Sequence, residues 1–359
     1  MEPITDHDLS ADLQQQVEHA SKTKTLLNIV GGGSKAFLGV TNNAKALDVR
    51  HHEGVISYEP TELVVRARSG TPLAALINML SDNGQMLPFE PPAFGTEATI
   101  GGTVACALAG PARPYLGGVR DYVLGCQVLN GNAQSLRFGG EVMKNVAGYD
   151  VSRLMTGAMG TLGVLLDVSV KVLPKAECET TLAQSLDESD AIEAMQALAG
   201  SGLPVTASAY IDGNMYTRLS STDGAVQAAA SRLPGDTIDN PQLWTSLKEH
   251  TLPFFSSSQP LWRISVPALT PAMNIAGSWL HDWAGLQRWL KSDTSATEIR
   301  NACEKAGGHA TLYRASESLQ REAGVFHPPA APLLTLQQRL KNEFDPAGLF
   351  NHQRLFPEF

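Results

Sequence analysis

The sequence contains few cysteines, and these are widely spaced. Cys106, Cys126, Cys178 and Cys303 form no C-x-x-C pair, the spacing on which zinc knuckles and iron–sulfur clusters usually depend. We expect four buried free thiols, because unpaired cysteine packs as a small hydrophobic residue. The nine histidines include no H-x-H and no H-E-x-x-H motif, so no metal site is predicted.

Positive charge and long apolar runs are also scarce. Lys and Arg number 27 against 36 Asp and Glu, a formal net charge of −9. No basic cluster stands out, which disfavours nucleic acid as a partner because phosphate binding needs grouped cations. No apolar run approaches the roughly 18 residues of a membrane span, and residues 1–21 hold no Lys or Arg. We therefore expect a cytoplasmic protein with no signal peptide and no direct membrane span.

Apolar residues are plentiful, and the chain is too long for one typical core. Hydrophobic residues make up 43% of the 359 residues, which is enough for two domains. After Pro174 the glycine-rich segments end, and short helical and strand patterns alternate. The predicted fold class is α+β, with a first domain over 1–175, a second over 176–330, and a C-terminal segment over 331–359 that returns to the first domain.

Apolar periodicity predicts the main elements. In the first domain it predicts a helix over 9–20, a strand over 25–30, a helix capped by Thr71 with Pro72 at its first position, and a strand over 164–173. Residues 91–118, rich in Gly, Pro, Ala and Thr, are predicted to form a loop. In the second domain we expect an antiparallel sheet with strands over 205–211, 261–266 and 309–314, and a helix over 296–305.

The first of three glycine-rich loops follows the strand over 25–30. Consecutive amides at Gly31, Gly32 and Gly33 can form a concave site for a pyrophosphate. Gly31, Gly33 and Ala36 also match G-x-G-x-x-A, the fingerprint of a Rossmann domain, with Asp48 or Glu53 as its later acid. That interpretation needs a long helix after the loop, and residues 39–43, Gly-Val-Thr-Asn-Asn, interrupt it. An NAD-dependent Rossmann enzyme is therefore disfavoured.

Two further glycine-rich loops lie over 99–104 and 160–164, and their spacing lets all three loops converge on one elongated ligand. With residues 70–73 (Gly-Thr-Pro-Leu) and 144–150 (Lys-Asn-Val-Ala-Gly-Tyr-Asp), they form an ordered set of motifs. This set resembles the FAD-binding domain of the vanillyl-alcohol oxidase and p-cresol methylhydroxylase flavoproteins. The resemblance implies a two-subdomain FAD-binding domain followed by an α+β cap domain with an antiparallel sheet.

The resemblance also implies which residues bind the cofactor. Related proteins that attach FAD covalently often carry a His in the first loop, where this chain has Ser34 and Lys35, so non-covalent FAD is expected. The expected FAD-binding residues are Gly31, Gly32, Gly33, Ser34, Lys35, Thr99, Gly101, Gly102, Val104, Tyr149, Gly163 and Val164.

Motifs in the second half of the chain indicate which group within this family the sequence resembles. Residues 260–263, 307–314 and 344–351 are similar to landmarks of the flavin subunits of glycolate-oxidising complexes. This implies oxidation of a 2-hydroxy acid, glycolate to glyoxylate, with electrons passing through the flavin to an iron–sulfur partner subunit. A catalytic flavin subunit is the other implied partner, and attachment to the inner membrane through these partners is an alternative to a purely cytoplasmic location.

Two residues of the second domain are candidates for the chemistry. Arg263 suits the substrate carboxylate because a guanidinium binds that group through two parallel hydrogen bonds, and His309 is the candidate base. Their structural alternatives are an ion pair at a domain seam for Arg263 and a strand cap for His309. The histidine cluster of the family's catalytic subunit is missing, so two other functions stay open: a stand-alone FAD-dependent oxidoreductase on another hydroxy acid or alcohol, and a non-catalytic flavin-carrying assembly subunit.

Overall fold

The chain folds into two compact units in a computed structural model that describes residues 6–40, 42–140 and 150–358. The first unit comprises Met1–Leu108, Gly118–Lys175 and Pro328–Phe359, and the second comprises Ala109–Gly117 and Ala176–His327. The segment 109–117, placed in the first domain by the sequence analysis, thus groups with the second unit.

The described residues form twelve α-helices and seventeen strands, and none of these helices has the length and apolar character of a membrane span. The helices are α1 Ser10–Thr23, α2 Leu73–Asp82, α3 Ile100–Cys106, α4 Arg113–Leu116, α5 Val119–Tyr122, α6 Val151–Met155, α7 Glu188–Ala199, α8 Asp223–Ala230, α9 Leu243–Lys248, α10 Ala296–Lys305, α11 Glu317–Ala323 and α12 Ala331–Phe344. The strands are β1 Leu27–Val30, β2 Lys45–Asp48, β3 Val55–Glu59, β4 Val64–Arg68, β5 Gln85–Met86, β6 Val123–Leu129, β7 Ser135–Gly139, β8 Val164–Lys171, β9 Leu173–Pro174, β10 Cys178–Ser185, β11 Val205–Ile211, β12 Asn214–Ser221, β13 Asp236–Ile238, β14 Leu261–Ser265, β15 Ser278–Asp282, β16 Gln287–Lys291 and β17 His309–Arg314.

The first unit is built on a five-stranded sheet in the order β3-β4-β8-β6-β7. The preceding strands β1 and β2 form a separate, two-stranded parallel sheet. The central strand, β8, is buried on both faces; five of its eight residues are apolar, and the polar residues Asp167 and Ser169 are buried with them. One hydrophobic cluster joins Ile29 of β1, Val164 and Leu166 of β8, and Phe350 near the C-terminus. The ends of the first and third glycine loops therefore rest on a shared core.

The prediction that residues 91–118 form a loop is incomplete, because the structure has the helices α3 and α4 in this region. The Thr99 side chain accepts a hydrogen bond from the Gly102 amide at 3.1 Å, which caps α3 and replaces a bond that the first helical turn cannot make internally. Thr71, by contrast, does not cap α2. Its hydroxyl donates to the carbonyls of Gly54 and Arg68 instead, and Pro72 occupies the cap position.

The second unit contains an eight-stranded sheet in the order β13-β10-β12-β11-β15-β16-β14-β17. All strand pairs of this sheet within the described residues are antiparallel, so the predicted α+β class with an antiparallel sheet is confirmed. Strands β11 and β17 and helix α10 have the predicted bounds. β14 lies between β16 and the edge strand β17, so Arg263 lies on the strand next to this edge of the sheet.

The cysteines are free thiols, but only two of them match the predicted burial. Cys126 and Cys303 are buried, whereas Cys106 and Cys178 are partly exposed. Burial raises the pKa of Cys126 to about 12 and that of Cys303 to about 11. Both buried thiols are therefore protonated at neutral pH and act as packing residues.

Because His52 is buried, we expect the free energy of unfolding to fall in acid. His52 accepts a hydrogen bond at Nδ1 from the Leu9 amide at 3.0 Å, and its Nε2 donates to the Leu166 carbonyl at 2.9 Å, so the ring is neutral. Burial lowers the pKa of His52 below its ordinary 6.5. As the pH falls below about 6.5, the unfolded chain takes up the proton first, and this group reduces the free energy of unfolding by at most about 1.4 kcal/mol per pH unit.

The variant His52→Gln tests this expectation, since an amide can accept from Leu9 and donate to Leu166 without titrating. Chemical denaturation at several pH values between 7 and 5 should show a smaller loss of stability on acidification for the variant than for the parent chain. His250, His281 and His309 also have lowered pKa values, so part of the slope should remain. An unchanged slope would show that His52 does not contribute.

Candidate functional site

The first unit contains a cleft of about 1260 Å³, including its open mouth, where the three glycine loops meet. The part of the cleft that water-sized molecules can enter is about 280 Å³, just below the about 300–1,000 Å³ typical of small-molecule sites. The predicted binding residues that line the cleft are Gly31, Gly32, Gly33, Ser34, Lys35, Thr99, Gly101, Gly102 and Gly163. The structure thus brings together residues that are up to 132 positions apart in the sequence.

Glycine is required where the loops approach each other. A Cβ at Gly32 would lie 1.4 Å from the Glu97 carbonyl oxygen, and one at Gly101 would lie 2.5 Å from the Ser69 Cβ. Gly33 has φ +70°, a conformation that residues with a side chain rarely adopt. Among the described residues, a Cβ at Gly102 would in contrast have only the Thr99 hydroxyl within 4 Å, at 3.2 Å. Gly102 therefore leaves open space that belongs to the cleft.

The cleft carries positive charge and no acidic side chain among the described residues that line it. Lys35 Nζ donates to the Ser34 hydroxyl at 3.2 Å and to the Ala93 carbonyl at 3.3 Å. Arg354 brings a second cation from the C-terminal segment. Two cations beside exposed backbone amides favour an anionic ligand.

The remaining walls supply apolar surface and one unsatisfied polar atom. Ile29, Met155, Met159 and Leu165 line the cleft, and such side chains suit flat aromatic ring systems. The Ser69 hydroxyl is buried at the cleft wall and has no hydrogen-bond partner among the described residues. A ligand with an anionic part, ring systems and further polar groups fits this set, and FAD has all three.

Three predicted cofactor residues stand apart from this set. The side chains of Val104 and Val164 are fully buried and neither residue lines the cleft as described. Tyr149 lies outside the described residues. Their contact with FAD stays a prediction.

The sequence analysis missed the contribution of the C-terminal segment to the cleft. Asn351 lines it and bridges two loops: its Oδ1 accepts from the Ile29 amide at 2.7 Å, and its Nδ2 donates to the Met159 carbonyl at 2.6 Å. The motif over 344–351 was recognised as a landmark, but its pattern carries no signal for which loop it contacts. Asn42 and Cys106, which also line the cleft, had no assigned binding role.

In the second unit the structure places Arg263 and His309 on neighbouring strands. Ser265 of β14 is paired with His309 of β17, and Arg263 is paired with Thr311. Residues that alternate along a strand lie on one face, so Arg263 and His309 share a face of the sheet. The Arg263 guanidinium lies 5.6 Å from the centre of the Tyr313 ring.

The Arg263 side chain has no carboxylate partner among the described residues, in contrast to the ion pair considered from the sequence. Burial lowers the pKa of Arg263. The nearby Tyr313 raises this pKa, and the positive charge of Arg113 lowers it. Burial also lowers the pKa of His309, followed by the charges of Arg263, His327 and Arg113. His309 is consequently neutral at pH 7 in a positively charged neighbourhood.

Arg113 is a neighbour of this pair that the sequence analysis did not find. It belongs to the segment 109–117, and its guanidinium lies 4.4 Å from the centre of the Trp283 ring. Trp283 Nε1 donates to the Gly110 carbonyl at 2.9 Å, which fastens the segment to the second unit. A small group of basic side chains therefore faces one region of the sheet and suits a carboxylate.

The overall architecture matches a flavoenzyme of known structure. A p-cresol methylhydroxylase structure superposes with a TM-score of 0.73 at 15% identity, covering 98% of this chain and 88% of that one. An alkyldihydroxyacetonephosphate synthase structure superposes with a TM-score of 0.67 at 14% identity, covering 96% of this chain and 75% of that one. The chain therefore has the fold of p-cresol methylhydroxylase, with a glycine-lined cleft in its first unit.

Sequence comparison shows which family with this fold the chain belongs to. Residues 9–139 match the family described as FAD binding domain. The glycolate oxidase subunit GlcE of Escherichia coli (strain K12) is 46% identical over 351 residues, which cover 98% of both chains. The chain belongs to the GlcE family of glycolate oxidase subunits, which confirms the family, the FAD-binding domain and the oxidoreductase class predicted from the sequence. The glycolate oxidase subunit GlcD of Bacillus subtilis (strain 168) is 31% identical over 151 residues, 42% of this chain and 32% of that protein.

Proposed function

We propose that the chain is the FAD-carrying subunit of a complex that oxidises a 2-hydroxy acid, glycolate to glyoxylate. The observation that carries this proposal is the cleft in which three glycine loops, Lys35 and Arg354 meet and which no acidic side chain lines among the described residues. Its similarity to E. coli GlcE over almost the whole chain supports glycolate as the substrate. Bound FAD supplies the hydride acceptor for such an oxidation.

The residues of the first unit hold the cofactor in this proposal. The amides of Gly31, Gly32 and Gly33 and the side chains of Ser34 and Lys35 bind its pyrophosphate. The loop contains no histidine or cysteine for covalent attachment, which supports non-covalent FAD. Precipitation with acid should then release all of the flavin into the supernatant.

The residues of the second unit act on the substrate in this proposal. Arg263 binds the substrate carboxylate, because its guanidinium has no acidic partner among the described residues and can donate two parallel hydrogen bonds to a carboxylate. His309 accepts the hydroxyl proton, since its lowered pKa keeps the ring neutral and able to bind a proton at pH 7. Arg113 lies close enough to influence both groups electrostatically and raises the preference for an anion.

The electrons leave through partner subunits in this proposal. No group of three or more metal-binding side chains occurs within residues 6–40, 42–140 and 150–358, and the four cysteines are dispersed. An iron–sulfur subunit and a catalytic flavin subunit are the proposed partners. The proposed location is the cytoplasm, with any membrane attachment made through these partners.

A visible absorption spectrum of the purified chain tests the proposal. We expect a flavin band, and we expect anaerobic glycolate to bleach it. A flavin band that bleaches only when the partner subunits are added would assign this chain a relay role, and a folded chain that takes up no FAD would overturn the proposal.

Arg263→Met should weaken the reaction selectively. Loss of a charged hydrogen bond to the substrate costs about 1.5–3 kcal/mol, so kcat/KM of the complex for glycolate should fall about tenfold to a hundredfold with flavin content unchanged. Arg321→Met is the matched control, because Arg321 is an exposed arginine of the same unit, paired with Glu317 at 2.6 Å. Equal kinetics for both variants would give Arg263 a structural role.

A further inference from the structure

The last part of the C-terminal segment, residues 345–358, contributes an arginine, Arg354, to the lining of the cleft. One terminal nitrogen of Arg354 donates to the carbonyls of Lys35 and Ala36, each at 3.3 Å. The Arg354 side chain passes over Gly39, where a Cβ would lie 2.8 Å from its Nε. The Arg354 side chain is therefore hydrogen-bonded to, and packed against, the backbone at the end of the first glycine loop and directly after it.

The position of Arg354 is fixed by the loops themselves. Its amide donates to the Asn351 carbonyl at 3.0 Å, and the Asn351 amide donates to the Leu27 carbonyl at 2.9 Å. The Asn351 side chain connects Ile29 before the first loop to Met159 before the third loop. Arg354 thus belongs to the same rigid set of contacts as the two loops.

The charge of Arg354 is not balanced by a carboxylate among the described residues. Burial lowers its pKa, and the only opposing influence is the Cys106 thiol. A guanidinium has five N–H donors, and the two bonds to carbonyls come from one nitrogen. Arg354 lines a cleft that has no acidic lining among the described residues, and burying such a cation is costly unless an anion pairs with it.

Lys35 and Arg354 share this end of the cleft. Both cations act electrostatically on Cys106, which also lines the cleft. Lys35 alone is a point charge, whereas a guanidinium presents a planar pair of donors that matches two phosphate oxygens. The pair therefore suits a diphosphate better than a single phosphate or a neutral ring.

We propose that Arg354 binds the diphosphate of the nucleotide cofactor together with Lys35, so that the C-terminal segment forms part of the FAD site. This inference rests on the proposed function, which assigns FAD to the cleft. Because the segment contacts the ligand, FAD and the docked segment stabilise each other by linkage. FAD should therefore increase the hydrogen-exchange protection of residues 345–358.

The test compares two ligands that share the flavin ring, FAD and riboflavin, which lacks phosphate. Each is titrated into the apo-protein and followed by flavin fluorescence, for the parent chain, Arg354→Met, Arg354→Lys and the control Arg50→Met. Arg50 is an exposed arginine of the same unit, paired with Asp48 at 2.6 Å. We expect Arg354→Met to weaken FAD binding about tenfold to a hundredfold, to leave riboflavin binding unchanged and to reduce the dependence of FAD binding on salt.

The remaining outcomes decide between the inference and the proposed function. Arg354→Lys should recover part of the FAD affinity, and Arg50→Met should bind both ligands as the parent does. If Arg354→Met weakens FAD and riboflavin equally, Arg354 is structural and the inference fails while the proposed function stands. If Arg354→Met binds FAD like the parent, the inference also fails. If the folded parent chain binds no FAD, the proposed function fails as well.

Discussion

Gly102→Leu is expected to give a folded protein that has lost its FAD. Gly102 lies inside α3, where leucine is a good helix former, and within the described part of the chain its Cβ would meet only the Thr99 hydroxyl at 3.2 Å. The rest of the side chain would occupy the cleft that Gly102 lines. Overpacking costs about 1–3 kcal/mol even where neighbours relax, so the affinity for FAD should fall at least about tenfold to a hundredfold, measured as flavin per protein after purification.

A matched control separates the cleft from the general effect of the substitution. Gly224 is also helical, in α8 of the second unit, and a Cβ there would meet nothing within 4 Å. Gly224→Leu should keep the parent flavin content and melting temperature. If Gly102→Leu retains as much flavin as Gly224→Leu, the assignment of the cleft is wrong.

Lys341→Met is expected to destabilise the first unit more than any surface substitution. Lys341 Nζ donates to the Thr161 carbonyl at 2.7 Å, to the Phe350 carbonyl at 3.0 Å and to Asp345 at 2.6 Å. Burial lowers the pKa of Lys341, and the Asp345 carboxylate opposes this. Removing one partner leaves a buried carboxylate, so the free energy of unfolding should fall by about 3–5 kcal/mol in chemical denaturation.

Two comparisons test the cause of that loss. Lys22 pairs with Glu18 at the same 2.6 Å distance and the same four-residue spacing, but on an exposed helix face, so Lys22→Met should have no measurable effect. Lys341→Met combined with Asp345→Asn should be more stable than Lys341→Met alone, because no buried charge is left unpaired. A double variant no more stable than the single one would show that the three hydrogen bonds, and not the charge, dominate.

Patterns within short stretches of sequence predicted much of the fold. The strand before Gly31, the strands over 205–211 and 309–314 and the helix over 296–305 each depend on neighbouring residues, whose periodicity shows in the sequence. The glycine loops were predictable for a similar reason, since a glycine required for close backbone approach is visible as a glycine. What the pattern could not show is the partner backbone, such as Glu97 beside Gly32.

The helix over 331–344 shows where periodicity misleads. Leu333 and Leu336 recur at helical spacing, yet their exposed fractions are 48% and 53%. The residue of α12 that is buried is Lys341, whose charge is matched by Asp345 and by carbonyl groups of distant segments. A local pattern contains no information about those partners, so the sequence could not identify this lysine as a core residue.

The sequence by itself determined that three glycine loops follow in order, that the domains are α+β, and that the chain resembles FAD-binding flavoproteins. Only the tertiary structure decided which residues complete the sites. It brought Asn351 and Arg354 to loops more than 300 positions earlier in the chain, and it placed Arg113 near Arg263. The physical reason is that local periodicity reflects the environment of each segment, whereas a binding site depends on contacts between segments that meet only when the chain is folded.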